Sequence, residues 1–163
     1  MTISREHKTI NIQVDNQTLK QVREFKYLGS LFTEDKKMDR EIETRIHQAE
    51  KVIYQITPLL KHPAIQLETK RQIINSIFIP TLGYQCQTWT LTKEQKRRLT
   101  TCEMRCLRKA ANKTRRHHVR NEEIARIVGT IPIVKYIEKQ RLKWFGHLMR
   151  MDPTLPAAKA YNL

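Results

Sequence analysis

The residues whose types and spacing most clearly suggest a chemical role in this sequence are the lysines and arginines between positions 93 and 120. This stretch holds 11 Lys and Arg against 2 Glu. Such a density of positive charge repels itself unless an anion neutralises it, and nucleic-acid phosphates are the common polyanionic partner of basic surfaces. The stretch therefore predicts a phosphate-binding surface. The alternative is a solvated helix face without a ligand, which is the usual role of a charge run.

The rest of the composition supports a folded, basic binding domain. The chain has 163 residues and a formal net charge of +15, with 39% hydrophobic and 29% charged residues. This length suits about one domain, and this hydrophobic content allows one core. Residues 1–60 contain 10 Lys and Arg and 9 Asp and Glu, whereas residues 61–163 contain 21 and 7. We therefore expect the partner surface in the second part of the chain.

Helical spacing separates the cations of this second part from its apolar side chains. At about 100° per residue, the apolar residues of 93–112 share one arc of a helix and most of the cations share the other. A helix over 132–151 repeats this pattern. Its Trp144 is predicted to pack in the core, and the alternative is that Trp144 and Phe145 stack on exposed bases. The candidate nucleic-acid-binding residues are Arg97, Arg98, Arg105, Arg108, Lys109, Arg115, Arg116, Lys139 and Lys143.

Residue patterns typical of catalysis or metal binding are not found in the sequence. Two-metal nucleotidyl transfer needs carboxylates that lie close together, and none of the aspartates is adjacent to another. Cys102 and Cys106 are predicted on the packed face of a helix, which disfavours a zinc site with His117 and His118. We therefore predict a binding module with no catalytic residue, metal or cofactor, and with reduced cysteines.

The predicted fold class is α+β and mostly α, with a small N-terminal antiparallel sheet followed by a helical bundle. Alternating apolar residues predict a hairpin over 10–22 and a third strand over 25–32. Helical periodicity predicts a helix from 39 that Pro58 ends or kinks, a helix from 68 to Pro80, and helices over 93–112, 122–128 and 132–151. Thr92 and Gln95 have the spacing of a capping box at the start of the third helix, and Gly129 is predicted to end the fourth. The chain is thus predicted to divide into a region of strands (1–34), a helical region (35–151) and a C-terminal tail (152–163). The uncharged stretch 72–92 is too interrupted by polar residues, Pro80 and Gly83 to predict a membrane span.

Several motifs along the chain agree in order and spacing with one known family. They resemble the C-terminal part of reverse transcriptases of non-LTR, LINE-type retrotransposons, over nearly the whole chain. The motifs are Phe25-Lys-Tyr-Leu-Gly-Ser30, Glu41-Ile-Glu-Thr-Arg-Ile46, Pro80-Thr-Leu82, Gln87-Thr-Trp-Thr-Leu-Thr-Lys93, Cys106-Leu-Arg108, Arg120-Asn-Glu-Glu-Ile124 and Arg141-Leu-Lys-Trp-Phe-Gly-His-Leu-Met-Arg-Met151.

The resemblance implies a role in holding a template–primer duplex of RNA and DNA. It assigns primer-grip duty to Lys26, Tyr27, Leu28 and Gly29, and it makes the following helices the thumb and the region just beyond it. The family's fingers, catalytic palm and endonuclease domain would lie upstream of Met1, so this chain is not expected to polymerise DNA alone. The resemblance also implies an intracellular, nuclear location and the missing palm and fingers as partners.

Two other readings of the sequence remain open. The chain can be a domesticated helical module that binds proteins and self-associates, or a retroelement remnant without a function. A helix-turn-helix regulator is disfavoured, because no tight glycine-containing turn precedes the basic helix.

Overall fold

The structure of the chain, a computed structural model, describes residues 9–15, 17–35 and 37–161. Two short hairpins precede a bundle of helices, which confirms the predicted α+β, mostly α fold. The elements in chain order are β1 (Gln13–Val14), β2 (Gln17–Thr18), β3 (Glu24–Tyr27), β4 (Ser30–Thr33), α1 (Asp39–Lys61), α2 (Leu67–Ile73), a π-helical turn (Ile74–Phe78), α3 (Ile79–Leu82), a 3₁₀ turn (Cys86–Thr88), α4 (Lys93–Ala110), a second 3₁₀ turn (Arg115–His117), α5 (Asn121–Val128), α6 (Ile133–Met149) and α7 (Pro156–Tyr161).

The N-terminal strands form two separate antiparallel pairs, β1 with β2 and β3 with β4. The predicted single strand over 25–32 is therefore wrong, because the chain reverses at Leu28-Gly29. Both residues have positive φ, 46° and 86°. A two-residue turn of this kind matches the twist of the strands it joins, and glycine adopts it without strain.

Pro58 was predicted to end or kink the first helix, but it does not end it: α1 continues to Lys61. Proline removes one helical hydrogen bond and crowds the preceding turn. Ile56 and Leu60 lie on either side of Pro58 and are both buried in the core. Burying such a side chain stabilises by about 1.5–3 kcal/mol, which offsets much of the cost of the proline.

The second predicted helix also continues past its proline, Pro80, as far as Leu82. A π-helical turn precedes this proline, and within it the Ile79 amide donates to the carbonyl of Ile74, five residues earlier. The wider turn leaves room for the proline ring and for its missing N–H.

Helix α4 lies at the centre of the bundle and contacts α1, α5 and α6. It begins at the predicted capping box, in which the Gln95 amide donates to Thr92 Oγ1 at 3.2 Å and the Thr92 amide donates to Gln95 Oε1 at 3.0 Å. The core around it includes Ile42, Ala49, Leu60, Phe78, Leu82, Trp89, Leu99, Cys106, Leu107, Ile124, Ile133 and Ile137.

Helix α6 packs in the core only through its first turns, where Ile133 and Ile137 are buried. Trp144 is 41% exposed, so its predicted core position is wrong. After Ile137 no side chain of α6 is buried, although the first 3₁₀ turn and α7 contact this helix. Within the region 152–163, predicted as a tail, α7 folds back on α6 and buries Ala158.

No helix in the described ranges has both the length and the apolar content needed to cross a bilayer.

Candidate nucleic-acid interface

A basic groove runs between the C-terminal half of α1 and the end of α4. Its volume is about 540 Å³, and it extends onto the segment that follows α4. It is lined by Glu50, Ile53, Tyr54, Arg105, Arg108, Lys109, Lys113, Thr114 and Arg115. Five cations therefore surround one carboxylate, and four of these cations belong to the predicted set.

Two of the groove's cations hold α4 against α1. Arg105 forms an ion pair with Glu50, and Lys109 Nζ donates to Thr57 Oγ1 at 2.8 Å. Because both members of the Arg105–Glu50 pair are partly exposed, this pair contributes at most about 1 kcal/mol. Arg105 can therefore exchange the carboxylate for a phosphate at small cost.

Arg108 has a structural role that its sequence position did not reveal. Its Nη2 donates to the Val119 carbonyl at 2.8 Å and to Asn121 Oδ1 at 3.0 Å. These bonds tie the end of α4 to the start of α5. We therefore assign Arg108 to positioning the segment between the two helices, which carries Lys113 and Arg115.

Lys113 and Arg115 are the cations best placed to receive an anion. Among residues 9–15, 17–35 and 37–161, no carboxylate lies within ion-pair distance of either side chain. Arg115 is exposed, and Lys113 is partly exposed at the end of the groove. Lys113 was not in the predicted set, although it belongs to the same basic stretch. The neighbouring Arg116 is exposed but does not line the groove.

The start of α4 holds the other two predicted cations of that helix. Glu94 receives two hydrogen bonds from Arg97, at 2.8 and 2.7 Å, and these bonds lower the pKa of Glu94 below its usual range. Arg98 lines a smaller depression of about 190 Å³ that also contains Glu50 and Arg105. Cations thus follow the α1–α4 boundary from Arg98 to the basic groove.

The α6 cations form a different surface. Lys139 and Lys143 are both exposed on this helix. Lys143 lines a depression of about 250 Å³ together with Gln87, Trp144 and His147. None of the cations of α4 lines this depression, so the structure does not join the two predicted basic stripes into one site.

The segment that resembles a primer grip is the exposed end of the β3–β4 hairpin. Lys26 and Tyr27 are exposed on β3, and Leu28 is 69% exposed in the turn. Hydrogen bonds from the helical part of the chain hold the backbone of this turn: the Leu28 carbonyl accepts from Tyr84 Oη at 2.9 Å, and the carbonyl of Gly29 accepts from Arg45. The hairpin end is therefore accessible and has a defined position.

The residues that hold this turn were not predicted as functional. Arg45 lies with its guanidinium 4.7 Å from the centre of the Tyr84 ring and pairs with Glu41 at 2.6 Å. The sequence does contain the spacing of a helical ion pair, since Glu41 and Arg45 are four residues apart within the motif that ends at Ile46. Tyr84 is 56 residues from Leu28, so its role required the folded structure.

The cysteine side chains are buried within the bundle. Burial raises the pKa of both the Cys102 and the Cys106 thiol to about 12, so each thiol stays protonated at neutral pH. In the described part of the chain, no group of three or more His, Cys, Asp or Glu side chains has the arrangement that would hold a metal ion.

Comparison of the chain with protein-family models, curated proteins and solved structures finds no match.

Proposed function

We propose that this chain binds the phosphate backbone of a nucleic acid through the basic groove, as the template–primer-holding part of a non-LTR retrotransposon reverse transcriptase. The observation that carries the proposal is that Lys113 and Arg115 have no carboxylate partner within the described part of the chain, in a groove whose described lining holds one carboxylate, Glu50. Lys109 and Arg105 widen the cationic surface along α4. The reverse transcriptase assignment rests on the motifs, and it gives these residues a binding role without a part in phosphoryl transfer.

The hairpin end is consistent with the same assignment. In the proposed role Lys26, Tyr27, Leu28 and Gly29 would contact the primer terminus. Lys26, Tyr27 and Leu28 are exposed and therefore accessible, and the bonds from Tyr84 and Arg45 reduce the entropy that would be lost on binding.

Replacing both Lys113 and Arg115 by alanine tests the groove. A side chain that contacts a phosphate releases about one counterion, so the slope of log affinity against log salt should become about 2 less steep. The measurement is fluorescence anisotropy of a labelled RNA/DNA hybrid between about 50 and 200 mM salt.

The matched control for this test is the double variant Lys139→Ala/Lys143→Ala, which removes the same charge from α6. We expect it to change the slope by less than half as much as the groove variant. An equal or larger change in the α6 variant would place the phosphate surface on α6 and would contradict the groove assignment.

The protein-interaction reading is favoured by one observation, the apolar second half of α6. Leu142, Trp144 and Phe145 are exposed around a depression of about 530 Å³. Exposed apolar surface of this kind is typical of protein contacts. This reading predicts a mass that rises with concentration in light scattering after size exclusion, and a monomer for Leu142→Asp. A concentration-independent monomeric mass for the unaltered chain would contradict it.

A further inference from the structure

Tyr54 is the one aromatic side chain in the basic groove. It is 83% exposed, although its neighbours on α1, Ile53 and Ile56, are buried in the core. Within the residues that the structure describes, its ring makes no aromatic or cation–π contact and its hydroxyl makes no hydrogen bond. The face of this ring is therefore available to a ligand.

The backbone that carries Tyr54 is held in place. Ile53 and Ile56 anchor this part of α1 in the core, and the Lys109–Thr57 hydrogen bond ties the same turn to α4. An aromatic side chain has only two rotatable side-chain bonds, so it loses little conformational entropy when it contacts a ligand. The groove thus presents a ring at a defined place beside Lys109, Lys113 and Arg115.

An aromatic face beside several cations matches the two parts of a nucleotide, the base and the phosphate. Proteins that bind single strands stack bases on aromatic rings and neutralise the backbone with Lys and Arg. In a duplex both faces of each internal base are covered by neighbouring base pairs. A single strand can therefore place any of its bases on Tyr54, whereas a duplex offers only the outer faces of its two terminal pairs.

We propose that Tyr54 stacks on an unpaired base of a single-stranded nucleic acid segment whose phosphates lie against Lys109, Lys113 and Arg115. This inference rests on the proposed nucleic-acid-binding function and adds a preference of the groove for an unpaired nucleotide. It also assigns a binding role to Tyr54, which its sequence position did not suggest.

The test compares a labelled thymidine 12-mer with a blunt 12-base-pair DNA duplex as probes for the full chain. Tyr54→Ala should weaken binding of the single strand by about 5- to 100-fold and leave binding of the duplex within about twofold. The salt slope should not change, because no charge is removed. Tyr54→Phe keeps the ring and should bind the single strand as the unaltered chain does.

A spectroscopic measurement reports stacking directly. The fluorescence of Tyr54→Trp should be quenched when the single strand is added, after subtraction of the signal of the unaltered chain. No quenching, or equal losses of single-strand and duplex affinity in Tyr54→Ala, would overturn the stacking role of Tyr54. If the unaltered chain binds neither of these probes nor the RNA/DNA hybrid, the proposed function itself is wrong.

Discussion

Replacing Arg45 by methionine is expected to lower the free energy of unfolding by about 3–5 kcal/mol. Arg45 and Glu41 form a buried ion pair, with 5% and 2% of their side-chain surfaces exposed. Without Arg45 the Glu41 carboxylate would stay buried, and among the described residues only the Leu31 amide would still donate to it, at 2.7 Å. An unpaired buried charge is among the most costly defects in a protein interior.

Urea unfolding followed by circular dichroism measures this loss. Arg40→Ala is the matched control on the same helix, because Arg40 pairs with Glu24 and Glu43 at the surface. We expect the control to change the free energy of unfolding by less than about 1 kcal/mol. The double variant Glu41→Gln/Arg45→Met should be more stable than Arg45→Met, since it removes the isolated charge. A loss below about 1 kcal/mol in Arg45→Met would show that the pair is not buried as described.

Arg45→Met should also destabilise the end of the β3–β4 hairpin. Arg45 donates to the Gly29 carbonyl, and with Tyr84 it holds the turn that resembles a primer grip. Amide hydrogen exchange in the β3–β4 hairpin should therefore become faster in Arg45→Met under conditions where the helices stay folded. The buried pair thus links the stability of the bundle to the position of the proposed primer contact.

The second large effect is a pH dependence caused by Glu103. This side chain lies on α4 and is 1% exposed, and its Oε1 accepts the Ile133 amide at the start of α6 at 2.8 Å. Its Oε2 has no hydrogen-bond partner among the described residues. Burial raises the pKa of the carboxyl from 4.5 to about 7, and the bond from Ile133 opposes only part of this rise.

The direction of the pH effect follows from proton binding. Between pH 4.5 and about 7 the folded chain keeps a proton on Glu103 that the unfolded chain has lost. The contribution of Glu103 to the free energy of unfolding is therefore greatest below pH 4.5. It decreases by roughly 3 kcal/mol in all as the pH rises to about 7. Above that pH the effect is constant.

Glu103→Gln removes this titration and keeps an oxygen that can accept the Ile133 amide. Relative to the variant, the unaltered chain should lose about 3 kcal/mol of unfolding free energy as the pH rises from 4.5 to 8. Urea unfolding across this range measures the difference, and the histidines cancel because both proteins contain them. Parallel pH profiles would show that the Glu103 carboxyl titrates normally.

The sequence alone determined the local features of this protein. The spacing of Thr92 and Gln95 predicted the start of α4, and Gly129, with a φ of 76°, ends α5 as predicted. Helical periodicity also separated the buried side of α4, with Leu99 and Cys106, from its cations. These features depend on hydrogen bonds and side-chain spacing within a few residues, which a sequence displays directly.

Only the tertiary structure decided how these elements are used. Periodicity shows which side of a helix is apolar, but it does not show where the neighbouring elements end, so the exposure of Trp144 could not be predicted. The partner of Arg105, Glu50, is 55 residues away, and that of Lys109 is 52 residues away. Because α1 and α4 pack side by side and bury their apolar faces, residues that are distant in sequence come together, and Tyr54 lies in the basic groove beside the α4 cations.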